Sequence, residues 1–241
     1  MSAFRSQLRT ELTLTLRNGE QLLLTVGIPL LLLVFFSLVD VLPTDAADPV
    51  DFLVPGVLAL AVMSTAMVSL GIGTGFERMY HVLKRLGATP LGRPRLVGAK
   101  IGSVGAVEVL QFALLVPVAF ALGWSADDAE WLPAAGAVLL GTSAFAGLGL
   151  TFAGRLRGEV NLAVQNGLYL VLLLLGGMII PFSELPGALE AIAHALPSAA
   201  LADVLRETLS GDGSEPTTSW IVLTSWAVVT PVLAARLFRW D

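Results

Sequence analysis

Glu108 is the residue in this chain whose type and place most need a chemical explanation. It lies inside an apolar stretch that runs from about Leu96 to Leu122. Counted from Leu96 at 1.5 Å per residue, it sits ~18 Å along a helix. A carboxyl group at that depth in an apolar medium must be protonated, paired or turned toward water. Gln111 follows three residues on and shares its face. The pair reads either as a polar point on a substrate path, with Glu108 as a proton-sensitive latch, or as a hydrogen-bonded strut between helices. A second set repeats at four-residue spacing: Asn161, Gln165 and Tyr169, with Asn166 adjacent and Gly176 beyond. A third, Ala61, Thr65, Ser69 and Gly73, has the same spacing. Small and polar stripes allow close helix packing in a bilayer, and they can equally line a path through it. The candidate pathway residues are therefore Glu108, Gln111, Asn161, Gln165, Tyr169, Thr65 and Ser69.

Other chemistries are poorly provided for. There is no cysteine, which excludes thiolate catalysis and thiolate metal sites. His81 and His194 lie outside the apolar stretches, with no Ser or carboxylate at a recognisable spacing. They read as surface residues, with no catalytic or metal role. An intramembrane hydrolase would need a nucleophile beside a histidine, and a lipid phosphotransferase an aspartate cluster at a span boundary. A small secondary carrier would have only Glu108 to couple an ion.

These residues need helices long enough to carry them. The chain has 241 residues, 55% hydrophobic and 14% charged, with mean hydropathy +0.80. Soluble domains average about 25% charged residues, so the solvent here is the bilayer. Crossing a ~30 Å hydrocarbon core takes about 20 apolar residues. Six stretches qualify: Leu22–Val41, about Phe52–Gly75, about Leu96–Leu122, Leu132–Ala153, about Val160–Ile180 and Ser219–Leu237. The first is too long for a cleavable signal peptide, and no small-residue cleavage site with a polar domain follows it. The reading is an all-α membrane protein of six transmembrane helices forming a single domain over 1–241.

The charges orient it. Of the 14 Lys and Arg residues, all but Arg206 fall in four clusters: Arg5, Arg9 and Arg17; Arg78 to Lys100; Arg155 and Arg157; Arg236 and Arg239. The alternate connections carry acids: Asp45, Asp48 and Asp51; Asp127, Asp128 and Glu130; and Glu184 to Glu215. Basic loops stay inside, so both termini are expected in the cytoplasm. The net charge of -5 says nothing of nucleic acid, because the basic groups sit at membrane boundaries. Before the first span, Phe4, Leu8, Leu12 and Leu16 make an apolar stripe, interrupted by Arg5, that predicts an interfacial helix. Between spans two and three, Phe76–Leu86 reads as one short amphipathic helix: Phe76, Met79, Tyr80, Leu83 and Leu86 oppose Glu77, Arg78, His81, Lys84 and Arg85. Gly87 and Pro90 end it. It could transmit force to a partner docked on it or merely rest on headgroups. After span five, closed by Pro181, two short apolar helices follow on either side of Pro197, with Ser198 as cap of the second. Each is too short to span, so they form an outer cap or a re-entrant lid. Asp40 falls at the outer end of span one.

Two of these segments carry a family resemblance. The inner loop contains Glu77-Arg78, the core Leu83-Lys84-Arg85-Leu86-Gly87-Ala88-Thr89-Pro90-Leu91, and Gly98-Ala99-Lys100. The outer segment contains Gly176-Gly177, Pro181, Leu185-Pro186, Pro197 and a helix reaching Arg206. Together, in this order and on these sides, they resemble bacterial ABC-2-type exporter permeases of the daunorubicin-type drug-exporter branch. Ser198-Ala199-Ala200 departs from the bulkier Leu-Thr-Tyr frequent there. The resemblance implies an ATP-driven export permease in the bacterial plasma membrane, paired with a second permease as homodimer or heterodimer. A pair of cytoplasmic ATPase subunits would bind the ATP and Mg, and this chain would bind no cofactor. It implies that Glu77, Arg78, Leu83, Lys84, Arg85 and Leu86 form the coupling contact, and that spans two and five line the central cavity. Lys84 and Lys100 are the lysines, and neither follows a G-x-x-x-x-G-K-[ST] pattern, so ATP hydrolysis falls to a separate chain. Amphiphilic drugs, lipids, glycolipids and haem-like molecules are all cargo of suitable chemistry.

Overall fold

The computed structural model describes residues 3–19, 23–39, 49–87, 92–127, 129–211 and 216–239. Among them the secondary structure is helical: α1 (Ala3–Arg17), α2 (Ile28–Leu38), α3 (Pro49–Met79), α4 (Val82–Gly87), α5 (Gly92–Ala121), α6 (Trp131–Ala153), α7 (Gly158–Leu175), α8 (Gly187–Ala193), α9 (Pro197–Ser210) and α10 (Pro216–Leu237). The helices α3, α5, α6, α7 and α10 are each long and apolar enough to cross a membrane. The first expected span is helical over its described part, as a π-helical turn Leu23–Gly27 leading into α2. Asp40, Asp45, Asp48, Ala88, Thr89, Pro90, Leu91 and Asp128 lie outside the described residues.

The central helix is α3. Of its apolar window 89% is buried inside the protein, against 22% for α7 and for α10. Val50 to Met67 are buried nearly without a break, while α7 and α10 expose residues such as Leu170, Leu174, Val228 and Val229. That contrast follows from sequence. A helix apolar all round, such as α3, can be enclosed by its neighbours. Glycines permit the closest approaches. A Cβ on Gly56 would overlap Met178 O, and one on Gly149 would stand 2.6 Å from Met67 O.

Prolines inside membrane helices remove a donor and free the carbonyl four residues earlier, and a bare carbonyl at that depth is costly. Three such carbonyls are capped from a neighbouring helix. Pro29 frees Thr25 O, which accepts from Gln111 Nε2 of α5 at 2.7 Å. Pro55 frees Asp51 O, which accepts from Ser210 Oγ of α9 at 3.2 Å. Pro231 frees Ala227 O, which accepts from Ser143 Oγ of α6 at 2.9 Å.

The connections differ from expectation in three places. Phe76–Leu86 is not one helix. Span two continues through Met79, a turn at Tyr80–His81 with His81 at φ 59° redirects the chain, and α4 begins at Val82. Four-residue spacing runs across that turn unbroken, so periodicity alone could not reveal it. Span five stops at Leu175 rather than at Pro181, because Gly177 adopts φ +60°, a left-handed conformation that glycine takes freely. Ser198 does not cap α9: Leu196 holds that position with Pro197 in the first turn, and Ser198 is buried against Gly176. The pair α8 and α9 is bent by 79°, and α9 is buried along nearly its whole length against α3, α6 and α10. On α1 the face packed toward α5 is Leu8, Glu11, Leu12 and Thr15, while Leu14 and Leu16 are exposed.

Candidate functional site

One end of the bundle gathers the basic residues. Lys100, near the start of α5, is buried between two carboxylates: its Nζ lies 3.2 Å from Glu11 Oε2 of α1 and 2.7 Å from Glu77 Oε2 of α3. This triad ties α1, α3 and α5 together at one point. Arg78 donates to the Leu156 carbonyl in the α6–α7 connection. Arg155 Nε donates to Leu237 O at 2.9 Å. Leu83 is buried against Leu96, with Leu86 and Phe238 packed around them. Both described chain ends therefore meet the loop between α3 and α5 on the same side.

Of the six expected coupling residues, four are held within the chain. Glu77 and Arg78 are spent on Lys100 and Leu156. Leu83 and Leu86 pack inward. Lys84 and Arg85 are exposed, and so are His81 and Tyr80, which is 63% exposed. The outward surface of the loop is thus Tyr80, His81, Lys84 and Arg85. Tyr80 stacks on Phe76 at 6.3 Å, which stiffens it.

The seven expected pathway residues divide. Gln111 accepts from Thr65 Oγ1 at 2.9 Å while it donates to Thr25 O, so it joins spans one, two and three. Glu108 faces elsewhere, toward Thr142 of α6, whose Oγ1 lies 3.0 and 2.9 Å from its two carboxyl oxygens. Despite their three-residue spacing, the two do not share a partner. Asn161 Nδ2 donates to Gly71 O at 2.9 Å, and Gln165 Nε2 donates to Gly149 O at 2.9 Å, bolting α7 to α3 and α6. A Cβ at Gly71 or Gly75 would collide with those amides. Ser69 and Tyr169 keep part of their surface accessible.

Two cavities lie at the basic end. A polar one of about 260 Å³ opens between α1, α3 and α5, with Glu11, Thr65, Ser69, Glu77, Lys100 and Ser103 on its walls. A larger one of about 630 Å³ lies between α5, α6 and α10 and is mostly apolar. At the far end, Arg206 donates to the Gly177 carbonyl and lies 4.0 Å above the Phe52 ring. Ser219 Oγ donates to Asp203 Oδ2 at 2.7 Å. His194 packs beside the Phe182 ring at 4.6 Å. No cluster of three or more His, Asp or Glu able to hold a metal exists among the described residues.

The sequence reading did not foresee the Lys100 triad, the Thr142 partner of Glu108 or the burial of Asp203 and Arg206. The triad left one signal: Lys100 stands at the start of a span with acids on both preceding elements.

This is a multi-pass membrane bundle with an exposed, internally braced loop at one end, the architecture of a transport permease. The family model for the ABC-2 type transporter matches residues 2–209, and the chain belongs to that family. It is 25% identical over 246 residues to YvfS of Bacillus subtilis (strain 168), a protein named as a transport permease, with 99% of this chain and 98% of that one covered. The chain is accordingly a membrane permease of the plasma membrane, of a family that generally works with an ATPase partner.

Proposed function

We propose that this permease is the membrane subunit of an ATP-driven exporter that moves an amphiphilic or lipid-like molecule out of the cell. ATP and Mg act on a separate pair of cytoplasmic ATPase subunits, and a second permease completes the path. The observation that carries the reading is the loop Tyr80–Gly87: it presents Tyr80, His81, Lys84 and Arg85 outward while Glu77, Arg78 and Leu83 anchor it to spans three, four and six. A contact that must transmit force needs a rigid support behind it, and this loop has one.

Coupling passes through all six residues, with Lys84 and Arg85 touching the ATPase and Glu77, Arg78, Leu83 and Leu86 transmitting. Ser69 and Tyr169, with surface to spare, line the substrate path. Glu108, Gln111, Asn161, Gln165 and Thr65 shape its walls from behind. A carrier driven by an ion at Glu108 is the less favoured reading, because that carboxyl is buried against Thr142 and no ionisable side chain among the described residues is hydrogen-bonded to it.

The test is co-purification of the permease with the products of neighbouring genes, followed by ATPase assays with a panel of amphiphiles. Lys84→Glu with Arg85→Glu should abolish ATPase association and transport while the permease stays inserted and folded. A double variant that still binds the ATPase and transports normally would remove the loop from the coupling path.

A further inference from the structure

The larger cavity asks for an occupant. Its walls are Leu96 and Ile101 of α5, Leu139 and Leu150 of α6, and Ala234 and Phe238 at the end of α10. The helix α5 packs on α1, α2, α3 and α4, whereas α6 packs on α3, α7, α9 and α10, so the cleft lies where these two groups diverge. Its walls reach past Thr142, bonded to Glu108 of α5, to Leu139 one turn farther from the basic end. Two of its wall residues are also outward-facing: Ile101 is 44% exposed and Leu139 is 71% exposed. The cleft therefore opens sideways toward hydrocarbon. From Arg95 to Glu108 is ~20 Å along α5, enough to cross the ~15 Å depth of one leaflet's apolar layer. Its volume, about 630 Å³, falls in the range of small-ligand sites.

Charge identifies the headgroup. Arg95 directly precedes the wall residue Leu96, and Arg236 and Arg239 flank Leu237–Phe238 at the same end. All three are exposed. Lys100 also lines the cleft, but its charge is offset by Glu11 and Glu77. We propose that this cleft is a lipid site, taking one acyl chain of an anionic phospholipid from the basic side of the bilayer, with the phosphate held at the mouth by Arg95, Arg236 and Arg239. The apolar walls supply the burial, and each arginine near an anionic surface adds attraction that a zwitterionic lipid does not recover. The site requires neither cargo nor ATPase, so it stands apart from the export reading.

The experiment exploits the absence of cysteine. A bimane label is placed at Leu139→Cys, at the lateral opening, and separately at Leu170→Cys on α7, away from the cleft. The purified full chain is reconstituted in phosphatidylcholine vesicles carrying equal mole fractions of brominated phosphatidylglycerol or brominated phosphatidylcholine. Brominated phosphatidylglycerol should quench the label at 139 more strongly than brominated phosphatidylcholine, with no such preference at 170. Arg95→Gln and Arg236→Gln should each reduce the preference about fivefold, the equivalent of one surface arginine. Ala235→Phe, or Leu150→Phe if the first does not fold, fills the cleft and should abolish it. Equal quenching by the two lipids at 139 overturns the proposal. So does a preference that survives filling of the cleft, which would put the headgroup site elsewhere, and so does an absence of quenching, which would mean the cleft is closed or holds another copy of the chain.

Discussion

Glu108 and Lys100 are both ionisable side chains buried in apolar surroundings, and their partners give them different roles. Glu108 meets a neutral hydroxyl, Thr142, on one neighbouring helix. An amide can replace a carboxyl in that contact because it both donates and accepts. Glu108→Gln should therefore leave yield and melting temperature nearly unchanged. Glu108→Leu should cost about 0.6–1.5 kcal/mol, the scale of one hydrogen bond between membrane helices. A loss of transport in the Gln variant at unchanged stability would restore Glu108 to the transport path. Lys100 is another case, since its removal leaves the buried carboxylate of Glu11 and the partly buried one of Glu77 facing one another. Lys100→Met should cost about 3–5 kcal/mol. Adding Glu11→Gln and Glu77→Gln to that variant should recover most of the loss, read as melting temperature in detergent. Absence of recovery would show that the lysine stem, not its charge, is what packs. The sequence marked Glu108 as unusual because it stands alone in an apolar run. It could not mark the triad, whose members are separated by 66 and 23 residues and meet only through tertiary packing.

At the scale of elements, the spans were legible because a run of about 20 apolar residues has few alternatives in a bilayer. The predicted 132–153 and 219–237 correspond closely to Trp131–Ala153 and Pro216–Leu237. The inner loop was less legible. An amphipathic pattern continues across the left-handed turn at His81 because the reversal changes direction without disturbing the spacing. The end of span five was misplaced for a similar reason: Pro181 is a strong breaker, but a glycine at positive φ had already ended the helix. The prolines inside spans also carried more information than their role as breakers. Each of Pro29, Pro55 and Pro231 lies four residues after a carbonyl that takes a donor from another helix. This pairing makes a prediction about coupling. Ser143→Ala alone should cost about 1–3 kcal/mol, because Ala227 O loses its donor at membrane depth. In a Pro231→Ala background the backbone N–H returns, and Ser143→Ala should become nearly silent. The double-mutant cycle measures that difference by thermal melting. Additive costs would show that the hydroxyl does not serve the proline's carbonyl.

For the whole molecule, charge in the sequence and geometry in the structure point to the same division into two sides. The Lys100 triad, the Arg155 contact with Leu237 and the Leu83–Leu96–Phe238 cluster bring α1, the α3–α5 loop, the α6–α7 connection and the end of α10 to one side. On the other side Glu130 N donates to Thr208 O, and Ser210 reaches Asp51 O, joining the three acidic connections. Such a bundle places its two described ends together whatever the orientation, and the basic residues then decide which side is cytoplasmic. Single cysteines test this in a chain that has none of its own. Gly158 is unsuitable as a site, since a side chain there would meet Met79 and Phe76. Exposed positions serve instead: Lys84→Cys and Arg157→Cys on the basic side, Ser125→Cys and Ser183→Cys on the other. In intact cells, an impermeant maleimide should label 125 and 183 and spare 84 and 157 until the membrane is opened. Labelling of all four from outside would mean mixed insertion. Labelling of 84 and 157 alone would invert the orientation, and with it the side from which an ATPase could reach Tyr80, Lys84 and Arg85.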